Sequence, residues 1–125
     1  MTVNILWFRQ DLRLKDNPAL IAACNTGELL PIYIHDTSAP QHARLGGASK
    51  WCLHHALESL NESLNGKLVC FSGDPKAIIE GLCETYDVGG VFWNRCYEKW
   101  ARERDADIKS SLKDAGIKAS SHNGS

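Results

Sequence analysis

Charged side chains follow directly on an apolar run near the start of the chain. Residues 5–8 read Ile-Leu-Trp-Phe, and Arg9, Asp11 and Arg13 come next. A continuous apolar run is typical of a strand that is covered on both faces, as in parallel sheets. In open α/β sheets the carboxyl ends of the strands are where ligands bind. These charges therefore either contact a ligand or form local ion pairs, and the run alone leaves both interpretations open.

Further polar side chains follow two other predicted strands. Residues 29–34 and 91–93 are the second and fourth strands, and polar residues come after each of them. If the first strand is central and the fourth lies beside it, the connections leave in opposite directions and open a crevice. This topology brings five residues to one rim: Arg9, Asp36, Asn94, Arg95 and Glu98. Arg9 and Arg95 can alternatively pair with Asp11 and Asp105.

Strand and helix patterns alternate along the whole chain. The other predicted strands cover residues 67–71 and 117–122, and the predicted helices cover 19–24, 49–65, 75–86 and 98–115. This alternation predicts a parallel sheet with right-handed crossovers and helices on both faces. The first strand is the most hydrophobic, so we expect it at the centre. The prediction is an α/β fold, a three-layer αβα sandwich with a five-stranded parallel Rossmann-like sheet in the order 3-2-1-4-5.

Composition and missing motifs exclude several classes of protein. The chain has 125 residues, 43% of them hydrophobic, and a formal net charge of −1. These values suit one domain and give no basic field for nucleic acid. No run is long enough to span a membrane and no signal-peptide pattern is present, which predicts a cytoplasmic protein. The five cysteines form no C-x-x-C pair, so neither a disulfide nor a metal site is expected. Neither G-x-G-x-x-G nor a Walker lysine motif occurs.

Several segments together resemble the DNA photolyase/cryptochrome family. They are WFRQDLRLKDNPAL at 7–20, GGASKW at 46–51 followed by LHH at 53–55, GDP at 73–75, WNR at 93–95 with YE at 97–98, RD at 104–105 and NGS at 123–125. Their order and spacing agree over essentially the whole chain. The chain departs from the family at Gln10 and Cys96, where arginine is common, and at Lys99, where proline is frequent.

The resemblance implies a bacterial-type deoxyribodipyrimidine photolyase, which splits cyclobutane pyrimidine dimers in DNA with blue light and reduced FAD. Residues 1–125 would be its N-terminal domain, which binds an antenna chromophore: a reduced folate, a deazaflavin or a flavin. FAD and the DNA lesion would bind a larger helical domain that these residues do not include, so we expect the fragment alone to be inactive. The alternatives are a cryptochrome photoreceptor and a stand-alone nucleotide-binding α/β module.

The resemblance also suggests roles for the polar residues. Asp36 can accept hydrogen bonds from a ring N–H, and Lys50 can meet an anionic ring or tail. Glu98 matches the family's folate-contacting acid and can hold a pterin edge. Arg9 and Arg95 are ligand contacts or ion-pair partners. The expected chromophore-binding set is Arg9, Asp36, Lys50, Asn94, Arg95 and Glu98, with no catalytic and no metal-binding residue.

Two expectations concern aromatic side chains. We expect Trp7 and Phe8 to form the floor of the crevice. We expect Trp51, Trp93 and Trp100 to expose a patch where the helical domain docks, because a large exposed aromatic patch usually marks an interaction site. The fragment would then also self-associate at high concentration.

Overall fold

The computed structural model describes residues 2–9, 17–24, 28–37, 47–95 and 98–122, with the backbone alone for residues 47–50 and 52. Five strands alternate with four helices along these residues. The elements are β1 (Val3–Phe8), α1 (Pro18–Cys24), β2 (Glu28–Asp36), α2 (Gly47–Ser63), β3 (Val69–Gly73), α3 (Pro75–Thr85), β4 (Val88–Asn94), α4 (Lys99–Asp114) and β5 (Lys118–His122).

The five strands form one sheet in the order β3-β2-β1-β4-β5, and every pairing in it is parallel. The predicted fold class, strand order and central position of β1 are confirmed. The apolar run of β1 explains its place, because a strand with two hydrogen-bonded neighbours and a helix layer on each face has no side toward water. The carboxyl ends of β1 and β4 lie side by side, which is the switch point that the topology predicted.

Each face of the sheet has its own apolar core. Trp7 packs with Trp93 and with Ile79, Ile108 and Leu112, so this core lies under α3 and α4. Phe8 packs on the opposite face, with residues of α1 and α2. Neighbouring residues in a strand point to opposite faces, so Trp7 and Phe8 cannot share one floor. That expectation is wrong for Phe8.

Several element ends differ from the sequence prediction. β2 extends to Asp36, and β3 begins at Val69 rather than at residue 67. Asn17 caps α1, because its side-chain Oδ1 accepts from the backbone N–H of Leu20 at 3.0 Å. The third helix ends at Thr85 rather than at residue 86, and Tyr86 is 46% exposed.

A bulge marks the start of β4. Val3 pairs with Val88 and Asn4 with Gly90, so Gly89 is an extra residue on the β4 side. A Cβ atom at Gly89 would lie 2.6 Å from Cγ2 of Thr2 and 3.0 Å from Oδ1 of Asn4. The side chains of Thr2 and Asn4 therefore favour glycine at this position. Beyond it, β4 continues in regular register with β1 to its carboxyl end.

An ion pair joins α4 to the end of β1. Nη2 of Arg9 lies 2.6 Å from Oδ2 of Asp105, and both side chains are largely buried. Asp105 lies one helical turn before Ile108, on the face of α4 that packs against the sheet. This is the Arg9–Asp105 pair that the sequence allowed as an alternative to ligand contact. Within the described residues, no helix is both long and apolar enough to cross a membrane.

Replacing Asp105 by alanine should lower the free energy of unfolding by about 3–5 kcal/mol. The substitution takes away the carboxylate beside a buried guanidinium, which costs far more than the loss of a surface pair. Urea denaturation followed by far-ultraviolet circular dichroism measures this change. Asp107→Ala is the matched control, because Asp107 is on the same helix and pairs with Lys76 at 3.3 Å in solvent. It should cost less than about 1 kcal/mol. Equal losses for the two variants would contradict a structural role for the buried pair.

Candidate functional site

Four charged side chains alternate in sign along the carboxyl edge of the sheet. Asp105 accepts from Arg9 and also from Nε of Arg104, at 3.2 Å. Nη1 of Arg104 in turn donates to Oδ2 of Asp36 at 3.0 Å. We call the series Arg9, Asp105, Arg104 and Asp36 the charge ladder. It brings together two of the predicted site residues, Arg9 at the end of β1 and Asp36 at the end of β2.

Two indole rings cover the guanidinium of Arg104. Its Cζ lies 5.1 Å from the ring centroid of Trp7 and 4.8 Å from that of Trp100. The guanidinium of Arg9 also lies over Trp7, at 4.6 Å. Cations at these distances are attracted to the negative faces of indole rings. Trp7 is therefore part of the site, as expected, and its contacts are with the charge ladder rather than with solvent.

Glu98 lies at the amino end of α4, next to this aromatic layer. Its Oε2 accepts from Nε1 of Trp100 at 2.8 Å, while the side chain remains exposed. Glu98 is the N-cap residue, but its carboxylate caps no backbone N–H of the helix. In the described part of the chain this carboxylate has no cationic partner.

Asn94 is buried and its carboxamide contacts the start of α1. Its Nδ2 donates to Oδ1 of Asn17 at 2.7 Å, and its Oδ1 accepts from the backbone N–H of Ala19 at 3.2 Å. The second bond satisfies the backbone N–H of Ala19, which has no partner within the helix because it lies in the first turn. The first bond holds the capping side chain of Asn17. Asn94 therefore positions α1 on the face opposite Trp93, and the structure does not bring it to the charge ladder.

The remaining predicted site residues lie elsewhere or are not described. Nε of Arg95 donates to the hydroxyl of Ser121 at 3.2 Å, on β5 at the edge of the sheet. These contacts separate Arg95 from Arg9, Asp36 and Glu98. Lys50 lies in α2, and its side chain is outside the described residues. Asp11, the other predicted ion-pair partner, is outside them as well.

Two indole N–H groups are buried at the base of the site. Trp7 and Trp93 meet edge to face, with ring centroids 5.7 Å apart and planes inclined by 65°. Nε1 of each ring is inaccessible to solvent and has no hydrogen-bond acceptor among the described residues. Buried donors without acceptors are uncommon and costly. They make the region below the charge ladder the least well satisfied part of the described core.

Sequence reasoning missed Trp100 and Arg104 as site residues. Their spacing places both roughly in line with Ile108 and Leu112 along α4, and the latter two are buried. The available signal was the charge itself, because an arginine in line with apolar residues on a helix requires an anion or an aromatic face nearby. In the structure Arg104 has two carboxylates and two indoles.

Two of the cysteines that the structure describes, Cys70 and Cys83, are poorly suited to act as nucleophiles. Cys24 and Cys70 are exposed free thiols, whereas Cys83 is half-buried and is the one of these three that packs against the core. Burial raises the pKa of the Cys70 and Cys83 thiols, and Glu80 adds to the effect at Cys83. A raised pKa reduces the thiolate fraction at neutral pH, and the thiolate is the reactive species. Among the described residues, no group of histidine, cysteine and acidic side chains is arranged to hold a metal ion.

The expected aromatic patch is only partly present. Trp51 is 65% exposed and its ring contacts His55, with centroids 4.1 Å apart. Trp100 is half-buried against Arg104. Trp93 is 1% exposed, so the expectation that it lies on the surface is wrong. The reason is register, because Trp93 pairs with Trp7 of the central strand and points into the α3/α4 core.

The described residues therefore present a site built for binding. The exposed carboxylate of Glu98 and the half-buried ring of Trp100 stand above buried charges that already have partners. A flat ring with N–H groups at its edge would find an acceptor and an aromatic wall there. Nothing in this arrangement pairs a nucleophile with a base.

Comparisons with known proteins agree on one family. The family model described as DNA photolyase matches residues 4–125. The deoxyribodipyrimidine photo-lyase of Agrobacterium fabrum is 42% identical over 124 residues, which cover 96% of this chain and 25% of that protein. Cryptochrome-1 of Arabidopsis thaliana is 32% identical over 124 residues, 96% of this chain and 18% of its own length.

A solved structure shows the same fold. The crystal structure of a bacterial class III photolyase from Agrobacterium tumefaciens superimposes with a TM-score of 0.90 at 40% identity, over 98% of this chain and 26% of that one. The chain thus spans about a quarter of the length of the photolyases it matches. The sequence match over residues 4–125 and the shared fold together show that the chain belongs to the DNA photolyase family, as its N-terminal α/β domain.

Proposed function

We propose that this chain is the antenna-binding domain of a light-driven DNA photolyase that splits cyclobutane pyrimidine dimers. Residues 1–125 would form one domain of a longer protein whose helical domain binds FAD and the damaged DNA. The family relationship supports this assignment, and the relative with 42% identity is a deoxyribodipyrimidine photo-lyase. Since its substrate would be the genome of a bacterial cell, we assign the protein to the cytoplasm.

The observation that carries the proposal is the arrangement of Glu98, Trp100 and Arg104. Trp100 is held between the Glu98 carboxylate, 2.8 Å from its Nε1, and the guanidinium of Arg104. One oxygen of Glu98 is thereby occupied, and Oε1 has no partner among the described residues. It can accept from the amino and N–H edge of a pterin, a charge-assisted bond worth about 1.5–3 kcal/mol. A reduced folate therefore fits the side chains that solvent reaches.

The other predicted contacts divide into two groups. Asp36 and Arg9 support the site through the charge ladder, and Asp36 stays a proposed contact for a ring N–H. Lys50 stays a proposed contact for an anionic ring or tail, as a deazaflavin or flavin would present. We leave Arg95 and Asn94 out of the proposed set, because their contacts lie at β5 and at α1.

Glu98→Ala in the full-length protein should lower antenna occupancy about tenfold or more, because the charge-assisted bond is lost. The ratio of antenna to FAD absorbance in the purified protein measures the occupancy. Glu103→Ala is the matched control, an exposed acid on the same helix whose side chain forms no hydrogen bond or ion pair among the described residues. Glu98→Gln separates two effects, because it keeps an acceptor for Trp100 and removes the charge.

FAD content and binding of dimer-containing DNA in the dark should be the same in all three variants. Unchanged occupancy in Glu98→Ala would contradict the Glu98 site. The antenna would then be of the deazaflavin kind, held around Asp36 and Lys50, or the domain would bind none.

A second experiment distinguishes a photolyase from a cryptochrome photoreceptor. The full-length protein with reduced FAD should restore dimer-containing DNA under blue light and leave it unchanged in the dark. Residues 1–125 alone, mixed with FAD and the same DNA, should leave the dimer content unchanged in both conditions. Chromatographic quantification of the dimers is the measurement. If the full-length protein leaves the dimer content unchanged under blue light, a cryptochrome is favoured. If residues 1–125 alone repair dimers, the proposal that repair requires the helical domain is wrong.

Docking of the helical domain and self-association remain predictions. Trp51 is the exposed aromatic that supports them, together with Trp100 at the edge of the candidate site. Both residues lie outside the two cores, so their substitution would test docking without opening a cavity in the sheet.

A further inference from the structure

A group of hydrogen-bond donors surrounds Ser121 on β5, the strand at one end of the sheet order. Nε of Arg95 lies 3.2 Å from the hydroxyl oxygen of Ser121, and Nζ of Lys109 lies 3.4 Å from the same oxygen. The backbone N–H of Arg95 donates to the carbonyl of His122 at 2.8 Å, and this bond fixes the backbone of Arg95 relative to β5. Three residues from a loop, a helix and a strand therefore converge on one point.

Among the described residues, two cationic donors contact the Ser121 hydroxyl and no carboxylate does. The Ser121 oxygen accepts twice, so its own hydrogen is left to donate. Arg95 and Lys109 each keep further N–H groups, and neither forms an ion pair in the described part of the chain. The contrast on the same helix is clear, because Arg104 lies against two carboxylates. Two cations that share a hydroxyl, with no carboxylate paired to either among the described residues, can receive an anion there.

The charge on the other side of β5 has the same sign. Lys118 and His122 alternate with Ser121 along the strand, and the imidazole of His122 contacts the hydroxyl of Ser120 at 2.8 Å. Burial lowers the pKa of His122, and the charges of Arg95, Lys118 and Lys109 lower it further. The imidazole therefore lies within the field of all three cations and reports on it.

We propose that Arg95, Lys109 and Ser121 form a binding site for a tetrahedral oxyanion of the phosphate type. A guanidinium, an ammonium and a hydroxyl supply donors of three kinds, and a phosphate group offers at least two free oxygens with several lone pairs for them. The site lies at the β5 edge and shares no residue with Glu98, Trp100 or the charge ladder. It is therefore independent of the proposed antenna function. Its ligand is either a free phosphate group or a phosphodiester of DNA.

The test uses His122 as a reporter in the protein as its gene encodes it, labelled with ¹³C at histidine Cε1. His122→Asn assigns the signal by its loss. Sodium sulfate is the probe, because it stays a dianion over the pH range of the titration, and sodium chloride at equal ionic strength gives the baseline. Bound sulfate should raise the pKa of His122 above the chloride baseline in a saturable manner, because the dianion offsets the neighbouring cations.

Arg95→Gln and Lys109→Gln should each raise the pKa of His122 in chloride and weaken the sulfate response about tenfold. Lys113→Gln is the matched control, an exposed cation one turn further along α4. It should retain the full response, and circular dichroism should show the same helix content in all variants. A sulfate effect equal to that of chloride, or an equal loss in Lys113→Gln, would mean general screening and would overturn the site.

Competition then identifies the source of the oxyanion. Inorganic phosphate should displace sulfate from the unmodified protein, and the displacement should be weakened in Arg95→Gln. If a short undamaged DNA duplex displaces sulfate in the same Arg95-dependent way, the ligand is a phosphodiester of DNA. If only inorganic phosphate does so, the ligand is a free phosphate group. Displacement by neither would overturn the phosphate assignment.

Discussion

The charge ladder is the interaction on which the carboxyl edge of the sheet depends. Two guanidinium groups and two carboxylates alternate over the ends of β1 and β2 and the first half of α4. Their side chains are between 5% and 16% exposed, so each charge has lost most of its hydration. Such a loss is offset only when every charge has close partners of the opposite sign. Because the partners come from three elements, the ladder is formed only when β1, β2 and α4 have reached their final places.

The candidate site follows from this arrangement. Asp36 and Asp105 both bind Arg104, so they hold its guanidinium plane in one orientation. Trp100 lies one helical turn earlier, and its ring covers that face. Glu98, two residues further back, accepts from the indole N–H and is the first group in the series that solvent reaches. A ligand at Glu98 would thus meet side chains that are already held in position, which lowers the entropic cost of binding.

The fold was predictable because its signals are local and repeated. The apolar run of β1, the alternation of strands with helices and the turn residues between them all indicate the same topology, and the structure confirms it. The site was predictable in part. Arg9 and Asp36 follow from topology alone, since both end central strands. Arg104 and Trp100 were not found, because their roles depend on how far α4 is rotated about its axis. Helical spacing shows that the two residues lie on one face of the helix, but not where that face lies relative to the sheet.

The end of β4 shows why neighbours in sequence do not form a site together. Trp93, Asn94 and Arg95 are consecutive, and the sequence predicts Asn94 and Arg95 at one crevice and Trp93 on an exposed patch beside it. In the structure Trp93 packs against Trp7 under α4, Asn94 contacts α1 on the opposite face, and Arg95 contacts Ser121 on β5. Side chains alternate along a strand, so adjacent residues must separate, and beyond the last pairing the chain can turn toward the next strand. The residues that share a site are those on one face of adjacent elements, as Trp7 of β1, Asp36 of β2 and Arg104 of α4 are. A polar segment after a strand therefore predicts that a functional edge is present, while the helix packed on each face decides which of its residues take part.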